Sequence, residues 1–278
     1  MVNLLRLANT KLPADIGWAL ESAAAWEGNP VAMSQLGSIM DNSRKAEFLG
    51  RPMCQDTGIP VFFVSGRFDH GVEQQIRNGV ALATSAVPLR PNAVHPLTRE
   101  NSGDNVGVGV PVIHYSPTAE DCLRITVLPK GAGAENTTRL AMLNPSDGLE
   151  GVKRFVLESV TMAGGRPCPP TVVGVGIGGT ADSCLSMAKK ALIGDLGQRN
   201  QDESMAQLEE ELFVMLNGTG LGPMGLGGDT TVLGVKICWS HCHTASLPVA
   251  VNLNCWASRR ATVCIYPDGR TEYSQEGQ

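Results

Sequence analysis

Residues 172–192 run Val-Val-Gly-Val-Gly-Ile-Gly-Gly-Thr-Ala-Asp-Ser-Cys-Leu-Ser-Met-Ala-Lys-Lys-Ala-Leu, and they restrict the fold most. A short apolar run ending in glycines reads as a buried strand, and 181–192 reads as a helix. The rest of the chain repeats this mixture. Helices are expected in the first 50 residues, with one starting at Pro13-Ala14-Asp15 and carrying Ile16, Leu20 and Ala24. A second starts at Asn29-Pro30 with Met33, Leu36, Ile39 and Met40 on one side. Further helices are expected over 71–86, from Pro145-Ser146-Asp147 to about Met162, and over 203–216. Strands are expected at 61–64, 109–115, 122–128, 230–239, 247–253 and 261–266. In the 122–128 run Leu123, Ile125 and Val127 alternate with polar residues, which predicts a strand with one wet face. Helices and strands in irregular order predict an α/β fold of mixed α+β layers.

Composition narrows the class. The 278 residues are 42% hydrophobic and 18% charged, which excludes disorder, a coiled coil and collagen. Such a length buries a full core without staples. The chain reads as a single domain over 1–278, with a weakly marked candidate boundary near 150–170. Glycine (32) and proline (17) are frequent without a triplet period, as in a loop-rich enzyme. The net charge of -5 implies no basic face, so neither nucleic acid nor membrane is an expected partner. No run resembles a membrane span, and the N-terminus has no long apolar segment with a cleavage site. A cytoplasmic protein with eight reduced cysteines is the resulting expectation.

Four groups of residues invite a chemical reading. Cys54-Gln55-Asp56 lies on a tight turn between Pro52 and Pro60, and Cys168 lies between prolines in Arg166-Pro167-Cys168-Pro169-Pro170. Cys255 follows an apolar run, where functional loops begin. Cys238, His241, Cys242 and His243 crowd into six residues and raise a structural zinc site, although no second pair at zinc-ribbon spacing exists. Each cysteine is equally readable as a small core residue. His243 reads as an active-site acid, a substrate binder or a satisfied histidine. Gly174-x-Gly176-x-x-Gly179 formally matches a dinucleotide fingerprint, but no ribose-binding strand end accompanies Asp195. Gly131 and Gly133 let backbone N–H groups approach an anion. Arg99, in a polar loop, carries the fork that suits a carboxylate or a solvated surface charge.

Taken together, seven stretches in order resemble the α-subunit, or N-terminal domain, of the class I iron–sulfur hydro-lyases, the family of class I fumarase and L-tartrate dehydratase. They are CQDTG at 54–58, PLRPNAVHPLTRENSGDN at 88–105, KGAGAEN at 130–136, RPCPP at 166–170, GVGIGGTADSCLSMAKKAL at 174–192, GPMGLGGDTT at 222–231 and LPVAVNLNCWASRR at 247–260. The resemblance implies that fold and a [4Fe–4S] cluster held by Cys54, Cys168 and Cys255. One iron without a protein ligand then acts as a Lewis acid on a small dicarboxylate. Gln55, Asp56, Arg99, Gly131, Gly133 and His243 would surround the substrate, with Asp56 and His243 as catalytic candidates. The remaining cysteines, 122, 184, 238, 242 and 264, would be mostly structural. Because single-chain members continue into a further domain, a separate β-subunit is implied, in an α2β2 assembly. The Cys255-Trp256-Ala257 sequence is tartrate dehydratase-like, whereas Arg99 and Ala134-Glu135-Asn136 are fumarase-like. Fumarate-to-malate chemistry is therefore the first expectation, L-tartrate the second and a methylated malate the third. A structural zinc protein, a nucleotide-binding enzyme and a non-catalytic scaffold are the readings from other classes.

Overall fold

The computed structural model describes residues 1–66, 71–119 and 121–275. It has helices and strands in two mixed sheets, the α/β class expected. The chain divides into two compact units. The first comprises Met1–Ala14, Asp41–Ala132 and Arg259–Gln278, and the second Asp15–Met40 and Gly133–Ser258. No division falls at 150–170, because 133–258 stays together.

The first unit holds α1 (Val2–Thr10), the end of α3 (Pro30–Leu49), β1 (Ile59–Gly66), α4 (Val72–Ala86), β2 (Val112–Pro117), β3 (Leu123–Lys130), β8 (Ala261–Ile265) and β9 (Thr271–Tyr273). Its sheet has the order β2-β1-β3-β8-β9, and only the β1–β2 pair is parallel. Leu4 and Leu5 of α1, Ile76 and Val80 of α4, and Phe62, Val127 and Val263 of the sheet share one core. The expected wet face of β3 is not found, since every residue from Ile125 to Lys130 is buried. Residues of α1 and α4 cover the face that Ile125 and Val127 share, and Thr126, Leu128 and Lys130 on the opposite face are buried as well. Its polar Thr126 is satisfied by the Thr262 hydroxyl at 2.8 Å.

The second unit holds α2 (Ala14–Trp26, from Asp15), the start of α3, β4 (Arg139–Leu143), α6 (Gly148–Ala163), β5 (Thr171–Gly179), α7 (Ala181–Ala191), α8 (Glu203–Asn217), β6 (Val232–Cys242) and β7 (Leu247–Asn254). A single turn, α5 (Ala132–Glu135), spans the boundary between the units. The sheet order is β4-β7-β5-β6, with β5 parallel to β6 and β7 antiparallel to both its neighbours. Asn29 caps α3 by accepting from the Val31 and Ala32 N–H groups at 2.9 and 3.3 Å. The buried stripe there is Ala32, Leu36 and Ile39, while Met33 is exposed, contrary to the expected face.

The alternation of β5 sorts its two faces by size. Val173 and Val175 enter the main core with Phe155, Val156, Leu208, Leu212 and Leu216 of α6 and α8. Gly174 and Gly176 face α7. A Cβ on either would stand 2.1 Å from the Ala188 carbonyl oxygen or 2.2 Å from that of Cys184. The apparent dinucleotide fingerprint is therefore a device for seating a helix on a strand.

Candidate functional site

In the first unit the Cys54-Gln55-Asp56-Thr57-Gly58 turn precedes β1. Gly58 has φ +78 and a Cβ there would stand 2.7 Å from the Lys130 nitrogen, so only glycine passes β3 this closely. The Asp56 carboxylate is engaged on both oxygens. Oδ1 accepts from the Gly58 N–H at 2.9 Å and from the Asn92 amide at 3.3 Å, and Oδ2 accepts from the Ala132 N–H at 2.8 Å. Gly131 lies against the same carboxylate, a Cβ there being 3.2 Å from Oδ2. Thr57 adds a second tie, exchanging hydrogen bonds with the backbone of Arg90. The turn, the 90–92 segment and the 131–132 segment are thus one hydrogen-bonded assembly. Gln55 and Arg99 are exposed, with side chains that make no hydrogen bond among the described residues. Arg99 itself has φ 64, a left-handed conformation that costs a non-glycine residue energy.

In the second unit Cys168 and Cys255 meet at one end of the sheet. The register Val172↔Asn254 places the entry of β5 beside the exit of β7. The Trp256 N–H donates to the Cys168 carbonyl at 3.1 Å. Cys168 has φ 54, held between Pro167 and Pro169, and its N–H donates to the Gly165 carbonyl at 3.0 Å. A strained, over-determined cysteine marks a position where direction matters more than local comfort. The 222–231 loop supports it, because the Met224 N–H donates to the Pro169 carbonyl at 2.8 Å and Gly225 packs on Gly165. Gly133 is exposed, and a Cβ there would meet the Arg166 carbonyl at 3.0 Å.

His243 does not join Cys168 and Cys255. It precedes β7, whereas Cys255 follows it, and eight strand residues separate the two by about 26 Å. The grouping expected around one substrate is therefore not formed by His243 within this unit. Its Nδ1 accepts from the Ala245 N–H at 3.1 Å, and the residue is exposed. It lines a cavity of about 410 Å3 with Leu149, Ile177, Met205, Leu208 and Leu247. The crowded Cys238–His243 segment lies along β6 and the following turn, with His241 edge-on to Trp239. Among the described residues no three His, Cys, Asp or Glu side chains gather to hold a single metal ion.

The other cysteines separate by burial. Cys122, Cys184 and Cys264 are buried, Cys238 is half-buried and Cys242 exposed. Burial pushes the Cys184 thiol up to about 11. Because its folded pKa is raised, the neutral thiol's contribution to stability is present below 9.0 and lost as pH rises through about 11. Differential alkylation at about pH 8, just below the ordinary thiol range, should label Cys242 and leave Cys184 unmodified. Labelling of both at equal rates would contradict this burial.

Sequence reasoning missed Asn92, Thr57 and Glu27, whose carboxylate accepts from the Asp229 and Thr230 N–H groups of the 222–231 loop. Their partners are remote in sequence, and an isolated Asn, Thr or Glu carries no local signal. Among the described residues no helix is long and apolar enough to cross a membrane.

Comparison with known proteins places the chain in a family. The model of the fumarate hydratase (Fumerase) family matches residues 1–264. The chain is 48% identical over 97% of its length to a "Putative L(+)-tartrate dehydratase subunit alpha" of Methanocaldococcus jannaschii, covering 98% of that protein. It is 35% identical over 96% of its length to the L(+)-tartrate dehydratase subunit alpha of Escherichia coli, covering 90% of it. It is 37% identical over 96% of its length to a "Putative fumarate hydratase class I" of Geobacillus stearothermophilus, of which it spans 54%. Two cysteine-bearing segments joined by a backbone hydrogen bond at one sheet end, an ordered CQDTG turn and a match along nearly the whole chain lead to one conclusion: this protein belongs to the fumarate hydratase (Fumerase) family of hydro-lyases.

Proposed function

We propose that this chain is the α-subunit of a [4Fe–4S]-dependent hydro-lyase that reversibly hydrates a C4 dicarboxylate, of the fumarate-to-malate type. The observation that carries the reading is the meeting of Cys168 and Cys255, with Cys168 strained between two prolines. Cys54, Cys168 and Cys255 would hold the cluster. The donor set fits, since three half-buried thiols suit an iron–sulfur centre better than the buried Cys122, Cys184 and Cys264. When bound, the cluster supplies a Lewis-acidic iron for loss or addition of water.

The chain's own residues would do the rest. Arg99 and Gln55, exposed and uncommitted among the described residues, would bind substrate carboxylates. Asp56 would act by fixing the turn, because three donors already occupy its carboxylate. Gly131 and Gly133 would leave room for the substrate beside the backbone. His243, at the far end of β7, would belong to the cavity that it lines. A separate β-subunit would contribute the catalytic base in an α2β2 enzyme, because two relatives are named as α-subunits and a third is nearly twice as long. The expected location is the cytoplasm.

L-tartrate is the second substrate reading, favoured by the 48% identity to a protein bearing that name. The test is anaerobic reconstitution with iron and sulfide, followed by assays of fumarate, malate and L-tartrate with the β-subunit present. About four irons per chain are expected, as in a [4Fe–4S] centre, with loss of both iron and turnover in Cys168→Ser but not in Cys184→Ser. Zinc, or iron retained by Cys168→Ser, would refute the assignment.

A further inference from the structure

Arg259 is among the largest fully buried side chains, at 1% exposure. Its guanidinium is inserted between the end of α1 and the 54–58 turn. Nη2 donates to the Asp56 carbonyl at 2.9 Å, and Nη1 to Asn9 Oδ1 at 3.4 Å. Asn9 in turn accepts the Met53 N–H on its carbonyl at 2.9 Å, so both ends of the turn are gripped. Nε has no hydrogen-bond partner among the described residues, and no carboxylate pairs with the guanidinium there. The nearest acid in the turn, Asp56, points its carboxylate at Gly58, Asn92 and Ala132 instead. Gly131 passes beside both groups, a Cβ there being 3.2 Å from Asp56 Oδ2 and 3.9 Å from Arg259 Nη2.

A permanently charged group buried without a counterion is costly. The cost is offset if an anion arrives. We propose that Arg259 is a positioning residue that locks the 54–56 turn and supplies the standing positive charge against which a dicarboxylate binds there. It does not touch the substrate, since it is closed off from solvent; it acts through the Asp56 carbonyl and through its field in a low-dielectric interior. The identity of the anion rests on the proposed hydro-lyase reading, whereas the buried charge does not.

The test uses the full chain with Arg259→Met, which removes the charge, and Arg259→Lys, which keeps the charge but loses the two-point fork. The probe is sodium L-malate, with sodium chloride at equal ionic strength as the control. Malate should raise the thermal midpoint of the wild type more than chloride does, and this difference should vanish in Arg259→Met. In Arg259→Lys the apparent Kd for malate should weaken about tenfold, a change of about 1.4 kcal/mol. In the assembled enzyme the same variant should raise KM about tenfold with a smaller change in kcat, a split that simple unfolding would not produce. An equal malate response in Arg259→Met, or none in the wild type, overturns the proposal. If Arg259→Met does not fold, an unchanged Kd in Arg259→Lys overturns it. A malate response that depends on Arg259 in a chain that binds no iron would support this inference and sink the hydro-lyase reading. Iron and turnover with a malate affinity indifferent to Arg259 would do the reverse.

Discussion

Gly176→Ala should cost the protein about 3 kcal/mol or more, at or beyond the top of the usual range for overpacking. The added methyl would stand 2.2 Å from the Cys184 carbonyl oxygen and 2.9 Å from the Ala188 nitrogen. Both are backbone atoms of α7, so no side chain can swing away. Relief requires the helix to lift from β5, which opens the small cluster of Cys184, Ala188 and Ala250. A fall in melting temperature on the order of 10 °C is expected. Gly37→Ala is the control, because its Cβ meets nothing within 4 Å in the middle of α3. That change should be neutral or stabilise by up to about 1 kcal/mol. Equal midpoints for Gly176→Ala and the wild type would mean that α7 does not sit this close to the sheet.

The second large effect is expected at Glu27, which follows α2 and is 6% exposed. Its carboxylate accepts the Asp229 N–H at 3.0 Å on both oxygens, the Thr230 N–H at 3.2 Å and the Asn29 N–H at 3.1 Å. A carboxylate beyond a helix C-terminus is unfavourable for the helix, so these three donors are what retain it. Glu27→Ala would remove the part-buried hydrogen bonds of a charged carboxylate to three N–H groups, and a loss of about 3 kcal/mol in urea unfolding is the expected total. Glu27→Gln should cost less but still measurably, since an amide NH2 would face donors. The damage should also be functional. The loop that Glu27 organises carries Met224, whose N–H holds the Pro169 carbonyl beside Cys168. Reconstituted iron per chain should therefore fall in Glu27→Ala at temperatures where the protein is still folded. Full iron retention would separate the loop from the cysteine's support.

Several of these features were legible in the amino-acid order. The β5–α7 unit, the helix ending at Val87, the start of α3 at Asn29-Pro30 and the strands around Cys255 all follow from local periodicity and punctuation. These are signals that neighbouring residues carry among themselves. The cysteines of the ordered motifs were singled out by their turns and prolines, but their joint role was legible by resemblance alone. Errors arose where a neighbour distant in sequence decides the environment. Leu123, Ile125 and Val127 alternate as in a half-wet strand, yet both faces of β3 are buried from Ile125 onward. Met33 matches the apolar period of α3 but lies outside the face that Ala32, Leu36 and Ile39 bury.

By itself, the sequence determined the class of fold and most of its longer elements, because patterning is a local property, while β4 and β9 carried no such signal. Tertiary structure alone decided which residues meet. It set Cys168 beside Cys255, sent His243 about 26 Å away along β7, bound Glu27 to the 229–230 loop and placed Arg259 under Asp56. Such pairings bring together groups separated by long stretches of chain. They are selected by the burial and hydrogen-bond satisfaction of the whole chain, and no window of neighbouring residues contains that information.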